Sequence, residues 1–126
     1  MQDHVLIARV VLHKDDEHID EHTPDAKEYK TLHALMHESG FRRFVTNEGD
    51  NTMYKLPPGE YHISLEAVSG SAARNDAITR AKAAASDATS ERRFSVLVTG
   101  SNGATFYGLE EISEDPDADA SFDSNS

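Results

Sequence analysis

Apolar residues fall along this chain in two rhythms, one suited to strands and one to helices. "HVLIARVVLH", His4 to His13, is a β-branched apolar run of strand length, and it predicts a central strand. Residues 14 to 22 are polar and acidic and predict a loop. Thr23-Pro24 signals a helix start, since Thr can cap and Pro suits the first helical turn. Asp25 and Glu28 complement the positive end of the helix dipole. Tyr29, Leu32, Leu35 and Met36 recur on one face at helical spacing. Ser39-Gly40 closes the helix, glycine being suited to the left-handed position after it.

"FRRFVT" predicts a second strand, and "NEGDN", Asn47 to Asn51, has turn chemistry. "TMYKL" extends or re-pairs that strand before Pro57-Pro58-Gly59 breaks it. "EYHISLEA" alternates, with Tyr61, Ile63 and Leu65 on one face and His62, Ser64 and Glu66 on the other. "SGSAARND" leads into an alanine-rich helix to about Ala85, with Ile78 and Ala81 facing inward. "RRFSVLVTG" is a further strand, Ser101-Asn102-Gly103 a turn, and "TFYGLEEI" a short added strand. The order β-α-β-β-α-β predicts an α+β, ferredoxin-like sandwich over residues 1–112, one antiparallel sheet with two helices on one face. A β-sandwich is the rival, and two helical segments in so short a chain argue against it. Residues 113–126 are rich in Asp, Ser and Ala and predict a disordered acidic tail.

Strand parity carries this further. Leu6, Ala8, Val10 and Leu12 should face the helices, leaving Val5, Ile7, Arg9, Val11 and His13 on the open sheet face. His62, Ser64 and Glu66 belong to that same face. A face bearing Val5, Ile7 and Val11 calls for a cover, most simply a second copy of the chain, so a homodimer through the open sheet face is expected.

With 126 residues the chain is the size of one domain. Hydrophobic residues make up only 37%, so part of the chain is expected outside the core. No cysteine is present, which excludes disulfides, thiolate-held zinc and Cys nucleophiles. No run of about 18 apolar residues offers a membrane span, and no secretory pattern opens the sequence. The expectation is a cytoplasmic protein. The net charge is −11, but Glu110 to Ser126 holds seven acids and no base. That leaves 16 acids against 12 bases in residues 1–109, a net of −4, so the overall acidity does not exclude nucleic acid as a partner.

Tyr29 to Ser64, "YKTLHALMHESGFRRFVTNEGDNTMYKLPPGEYHIS", resembles the type V antitoxin endoribonuclease family of GhoS. The matching features are Leu32-x-x-Leu35-Met36 at a helix end, then Phe41, Val45, Glu48 and Leu56 before the next strand. The resemblance covers about a quarter to a third of the chain. It implies a fold similar to the small CRISPR adaptation nucleases and related toxin ribonucleases, and binding to or cleavage of a toxin messenger RNA. Members of that wider group often place an Asp at the end of the first strand. Here His13 and Lys14 stand there and Asp15 follows, so no catalytic residue is carried over.

Several constellations bear on chemistry. Arg9, His13, His62 and Glu66 share the open face. His and Glu can exchange protons and Arg can stabilise charge on a phosphorane-like state, which suffices for metal-independent RNA cleavage. The bland reading is a polar cluster in a dimer interface. The pairs Arg42-Arg43 and Arg92-Arg93 can clamp phosphates or merely balance nearby acids. In the predicted topology they lie at opposite ends of the sheet. Phe106-Tyr107 can stack on bases or cap a sheet edge. His18-Ile-Asp-Glu21-His22 is H-x-x-E-H, a zinc-peptidase pattern. That pattern needs a helix, and Pro24 starts a new one too soon, so a solvated acidic loop is the expected reading. His33 and His37 have i, i+4 spacing that can chelate a metal, or can simply flank the apolar stripe. No phosphate-binding glycine loop or dinucleotide fingerprint occurs, and neither a cofactor nor a resident metal is expected.

A reading of a different class uses the acidity. Asp15, Asp16, Glu17, Asp20 and Glu21, with or without the tail, would occupy a basic nucleic-acid groove on a protein partner, as an anti-CRISPR or other anti-defence inhibitor does. A third reading is a salt-adapted domain whose acids only hold water.

Overall fold

A computed structural model of the protein describes residues 2–15, 17–23, 26–47, 49–89, 93–100, 108–109 and 111–118. Asp16, Pro24, Asp25, Glu48, Arg92, the 101–103 turn, Phe106-Tyr107 and residues 119–126 lie outside them. The elements are β1 (Gln2–Leu12), α1 (Lys27–Glu38), β2 (Phe44–Thr46), β3 (Met53–Lys55), β4 (Glu60–Ala67), α2 (Gly70–Ala88), β5 (Phe94–Thr99) and β6 (Glu111–Ile112). This is a mixed α+β fold.

β1 is the centre of an antiparallel sheet in the order β4-β1-β5. Leu6 pairs with Ile63 and Ala8 with Tyr61 on one side, and Ala8 with Val98 on the other. The even positions behave as parity dictates: Leu6, Ala8, Val10 and Leu12 are all fully buried, packed with Leu32 and Met36 of α1 and Ala73, Ala77 and Ala81 of α2. Both helices therefore bear on the same face of β1. The inward stripe of α2 is almost wholly alanine, which lets a helix sit close over a sheet. Ile78 is only half-buried, and the helix continues three residues past the predicted end to Ala88. Ser69 caps α2 by accepting the Ala72 N–H at 3.1 Å.

A second small antiparallel sheet has the order β2-β3-β6. β3 re-pairs with β2 through the Asn47–Asn51 turn, Val45 opposite Tyr54. Among the described residues the two sheets are joined by the bridge at which Arg42 and His62 each donate a backbone N–H to the other's carbonyl at 2.7 Å.

α1 ends as its sequence predicts. Phe41 N–H donates to the Met36 carbonyl and Gly40 N–H to that of His37, with Gly40 at φ +103°, the Schellman arrangement. Arg80 of α2 adds a bond from Nη1 to the Ser39 carbonyl at 3.0 Å, tying the two helices at the negative end of α1. Its start differs from expectation. The N-cap is Ala26, with no side-chain capping bond, and Thr23 lies outside the helix. The cause is upstream. His13 bridges Glu21, Lys14 N–H donates to Asp20 at 2.7 Å, and His22 N–H donates to Leu12 at 2.9 Å. The chain returns alongside the end of β1 and reaches Thr23 still outside the helix. Of the segment expected to be a disordered tail, residues 113–118 are described and follow β6, with Asp117 buried.

Gly59 sits at φ +84°, and an added Cβ would lie 2.9 Å from the Val10 carbonyl oxygen. Gly59→Ala should cost about 2 kcal/mol through backbone strain and that clash. Urea unfolding checks it, with Gly49→Ala, which meets only a side-chain oxygen at 3.7 Å, as the near-neutral control.

Candidate functional site

The open face of the β4-β1-β5 sheet carries the proposed acid–base residues, and the register sets their spacing. Glu60 stands opposite Arg9, His62 opposite Ile7, and Glu66 opposite Asp3. Arg9 and His62 are diagonal neighbours, about 7–8 Å apart. Glu66 lies four residues along β4 from His62, about 13 Å away. His13 lies six residues along β1 from the partner of His62, about 20 Å away. One chain therefore brings Arg9, His62 and Glu60 together and leaves His13 and Glu66 apart. Glu60, directly opposite Arg9, is the residue that sequence reading missed; parity marked its face, but only the register shows its partner.

Next to His62 the arrangement becomes basic. Arg42, bridged to His62, belongs with His33, His37 and Arg43 to a cluster built from α1 and the approach to β2. Arg42 sends Nη1 to the carbonyls of His37 and Phe41, at 2.9 and 2.8 Å. Arg43 forks onto Asp117, with Nε and Nη2 each 2.7 Å from a carboxylate oxygen. His37 Nε2 lies 2.9 Å from Asp115 Oδ2, and Arg42 Nε lies 3.5 Å from the same oxygen. The Arg42-Arg43 pair does gather oxyanions, but they belong to the chain's own C-terminal segment. Arg93 is exposed.

Behind Arg43 the polar contacts run inward. His33 Nδ1 lies 2.7 Å from the hydroxyl of fully buried Tyr61. Burial, and then the Arg43 charge, lower the His33 pKa to about 4, so its ring is neutral at pH 7. Burial likewise drives the Tyr61 hydroxyl far above the usual phenol range. Burial also works against the charge on Arg43, but its bonds to Asp117 outweigh that and raise its pKa. Burial raises the Asp115 carboxyl, but the Asp117 N–H, His37 and Arg42 outweigh it and hold the group below its ordinary range.

At the other end of β1, His13 is buried and stacks flat on His18, ring centroids 4.1 Å apart. Its Nε2 is 3.3 Å from Ser95 Oγ, and its Nδ1 has no hydrogen-bond partner among the described residues. Burial first, and the His18 ring second, lower its pKa. Asp15 organises the adjoining loop by accepting the N–H groups of Ile19 and Asp20, while Glu17, Asp20 and Glu21 stay exposed. His18 has φ +60°, so the H-x-x-E-H stretch is a loop and not a helix. Among the described residues, no three His, Asp or Glu side chains converge as a metal ion requires.

The fold and sites define a small α+β protein with a half-polar sheet face and an internally satisfied basic cluster. Comparison of the chain with protein families, curated proteins and solved structures finds no match.

Two outcomes follow from the cluster. His33 takes a proton near pH 6.5 when unfolded but only near 4 when folded, so stability should fall as pH drops from 6.5 towards 4. Thermal melts should show that slope and show it flattened in His33→Gln. The Asp115 contribution is present above its ordinary 3.8 and is lost only as pH falls through its lower folded value. Asp117→Asn should cost about 3 kcal/mol in urea unfolding, because it leaves the largely buried Arg43 charge uncompensated.

Proposed function

We propose that the chain is a ferredoxin-like protein of the antitoxin-endoribonuclease type, which binds RNA along β4 and cleaves it with its own side chains. The single observation that carries this reading is the placement of Arg9 and His62 on the open sheet face, with Arg42, just before β2, joined to His62 by an isolated backbone bridge. Two features support the fold part. Both helices bear on one face of β1, and the order β5-β1-β4, continued by the Arg42 bridge, follows the order of that sandwich. Of the residues that carry the GhoS-like resemblance, Leu32, Leu35, Met36, Phe41, Val45 and Leu56 are buried and Glu48 lies outside the described residues, so the apolar ones describe a shared way of packing a helix onto a strand.

The chemistry asks little. Burial lowers the pKa of half-buried His62, which leaves a neutral imidazole free to act as base at pH 7. It removes the proton of a ribose 2′-hydroxyl, the 2′-oxygen forms a bond to the adjacent phosphorus, and the bond to the 5′-oxygen breaks. The products are a 2′,3′-cyclic phosphate and a 5′-hydroxyl protonated by water. Arg9 offsets the negative charge that builds on the phosphoryl oxygens. A second copy of the chain fits the other half of the face, where Val5, Ile7, Val11 and the exposed Leu97 form an apolar strip beside the polar residues of β4.

His62→Ala should lower cleavage of a mixed RNA on the order of a hundredfold without loss of fold, and the acid limb of the wild-type rate profile should lie below pH 6.5. A wild type that leaves RNA intact, or a fully active His62→Ala, sinks the reading. Leu97→Asp should convert a dimer to a monomer in analytical ultracentrifugation.

A specific observation favours a second reading. The Asp15 loop holds Ile19 out at 75% exposure amid Glu17, Asp20 and Glu21, a shape and charge suited to a basic protein groove such as that of a defence nuclease. Under this reading, Glu17→Gln with Asp20→Asn and Glu21→Gln abolishes partner binding, whereas RNA cleavage that persists unchanged in the same variant supports the first reading.

A further inference from the structure

Asp115 and Asp117 hold positions that the chain's own chemistry suits to a different anion. The Arg43 fork meets the two oxygens of Asp117 side-on, and the same planar fork takes two oxygens of a phosphodiester equally well. Arg42 and His37 hold one oxygen of Asp115 between them. Arg42 is also the direct cross-strand partner of His62. An RNA strand lying along β4 past His62 would therefore run into these three basic side chains next. In the structure it meets two carboxylates instead.

We propose that Arg42, Arg43 and His37 form a second phosphate-binding subsite for RNA, and that the Asp115-Pro116-Asp117 segment occupies it as an internal competitor which RNA must displace. This rests on the RNA-binding reading above. The exchange is balanced in charge: a phosphate entering as Asp117 leaves keeps the largely buried Arg43 paired, which a simple opening would not. The segment is also lightly held from the other side. β6 precedes it and is only two residues long, pairing Met53 with Ile112 and Tyr54 with Glu111. So short an edge strand has little independent stability. Its shape depends on itself as well, since Asp117 N–H donates to Asp115 Oδ1 at 2.8 Å. Asp115-Pro116-Asp117 is thus a preformed acidic turn that can leave as a unit.

The test uses the full chain and a short mixed-sequence oligoribonucleotide made uncleavable by 2′-O-methylation. Asp115→Asn is the first variant, because Asp115 does not itself bond Arg43 and Asn keeps an oxygen to accept the Asp117 N–H, so the fold should stay intact. It should bind the oligonucleotide about tenfold more tightly than wild type, an ordinary size for coupled sites, and Arg42→Ala should remove that gain. In wild type, adding the oligonucleotide should increase hydrogen exchange at the amides of residues 112–118 while β1 stays protected. Equal affinity of wild type and Asp115→Asn, with unchanged exchange at 112–118, overturns the competitor and leaves the RNA reading standing, the two aspartates then being a structural clasp. No binding by either protein overturns both.

Discussion

Leu6, Ala8, Val10 and Leu12 are shut away from water beneath two helices, and side chains along a strand alternate between two faces. Burial of one set leaves no choice for the other, so Val5, Ile7, Arg9 and Val11 must point away from the helices. β1 has partners on both edges, and a slip of one residue would exchange the two sets throughout. The core locks this register further. Tyr29 of α1 accepts the Leu12 backbone N–H at 2.9 Å, which anchors the helix to one end of the strand. Everything on the open face takes its position from that packing on the hidden one.

Local signals were readable in the sequence wherever the physics is local. The end of α1 needed only Ser39, Gly40 and a following apolar residue, all contiguous. The buried stripe of α1 and the parity of β1 and β4 needed only a period. The start of α1 was not readable, because the return of residues 20–22 along β1 carries the chain past its apparent cap. The candidate site divides the same way. Parity placed Arg9, His13, His62 and Glu66 on one face, but parity says nothing about distance along the sheet. The register of β1 against β4 separates His13 from His62, and nothing in the composition of either strand encodes it. The engagement of Arg43 by Asp117 lay furthest out of reach. The only hint was a surplus of acid at one end of the chain and an arginine pair near its middle.

The polar cluster beneath β2 costs more to build than an apolar core of the same size, yet it is almost fully paired. His33 finds Tyr61, Arg43 finds Asp117, and Asp115 is shared by His37 and Arg42. The contrast is with His4 and His13, each of which buries one ring nitrogen without a partner among the described residues. Among the described residues, polar groups are thus well satisfied where the C-terminal segment docks, and two ring nitrogens are left over in β1 and just after it.

Arg43 and Asp117 are separated by 74 residues of sequence. A covalent tie across so wide a loop would restrict the unfolded chain most strongly through its entropy, but a protein without cysteine has no such tie to form. The ion pair closes the same loop reversibly, and only in the folded state. What a reductant does to a disulfide-stapled domain, dissolved salt and competing oxyanions do here: the staple responds to the ionic composition of its surroundings, and redox chemistry has no hold on it.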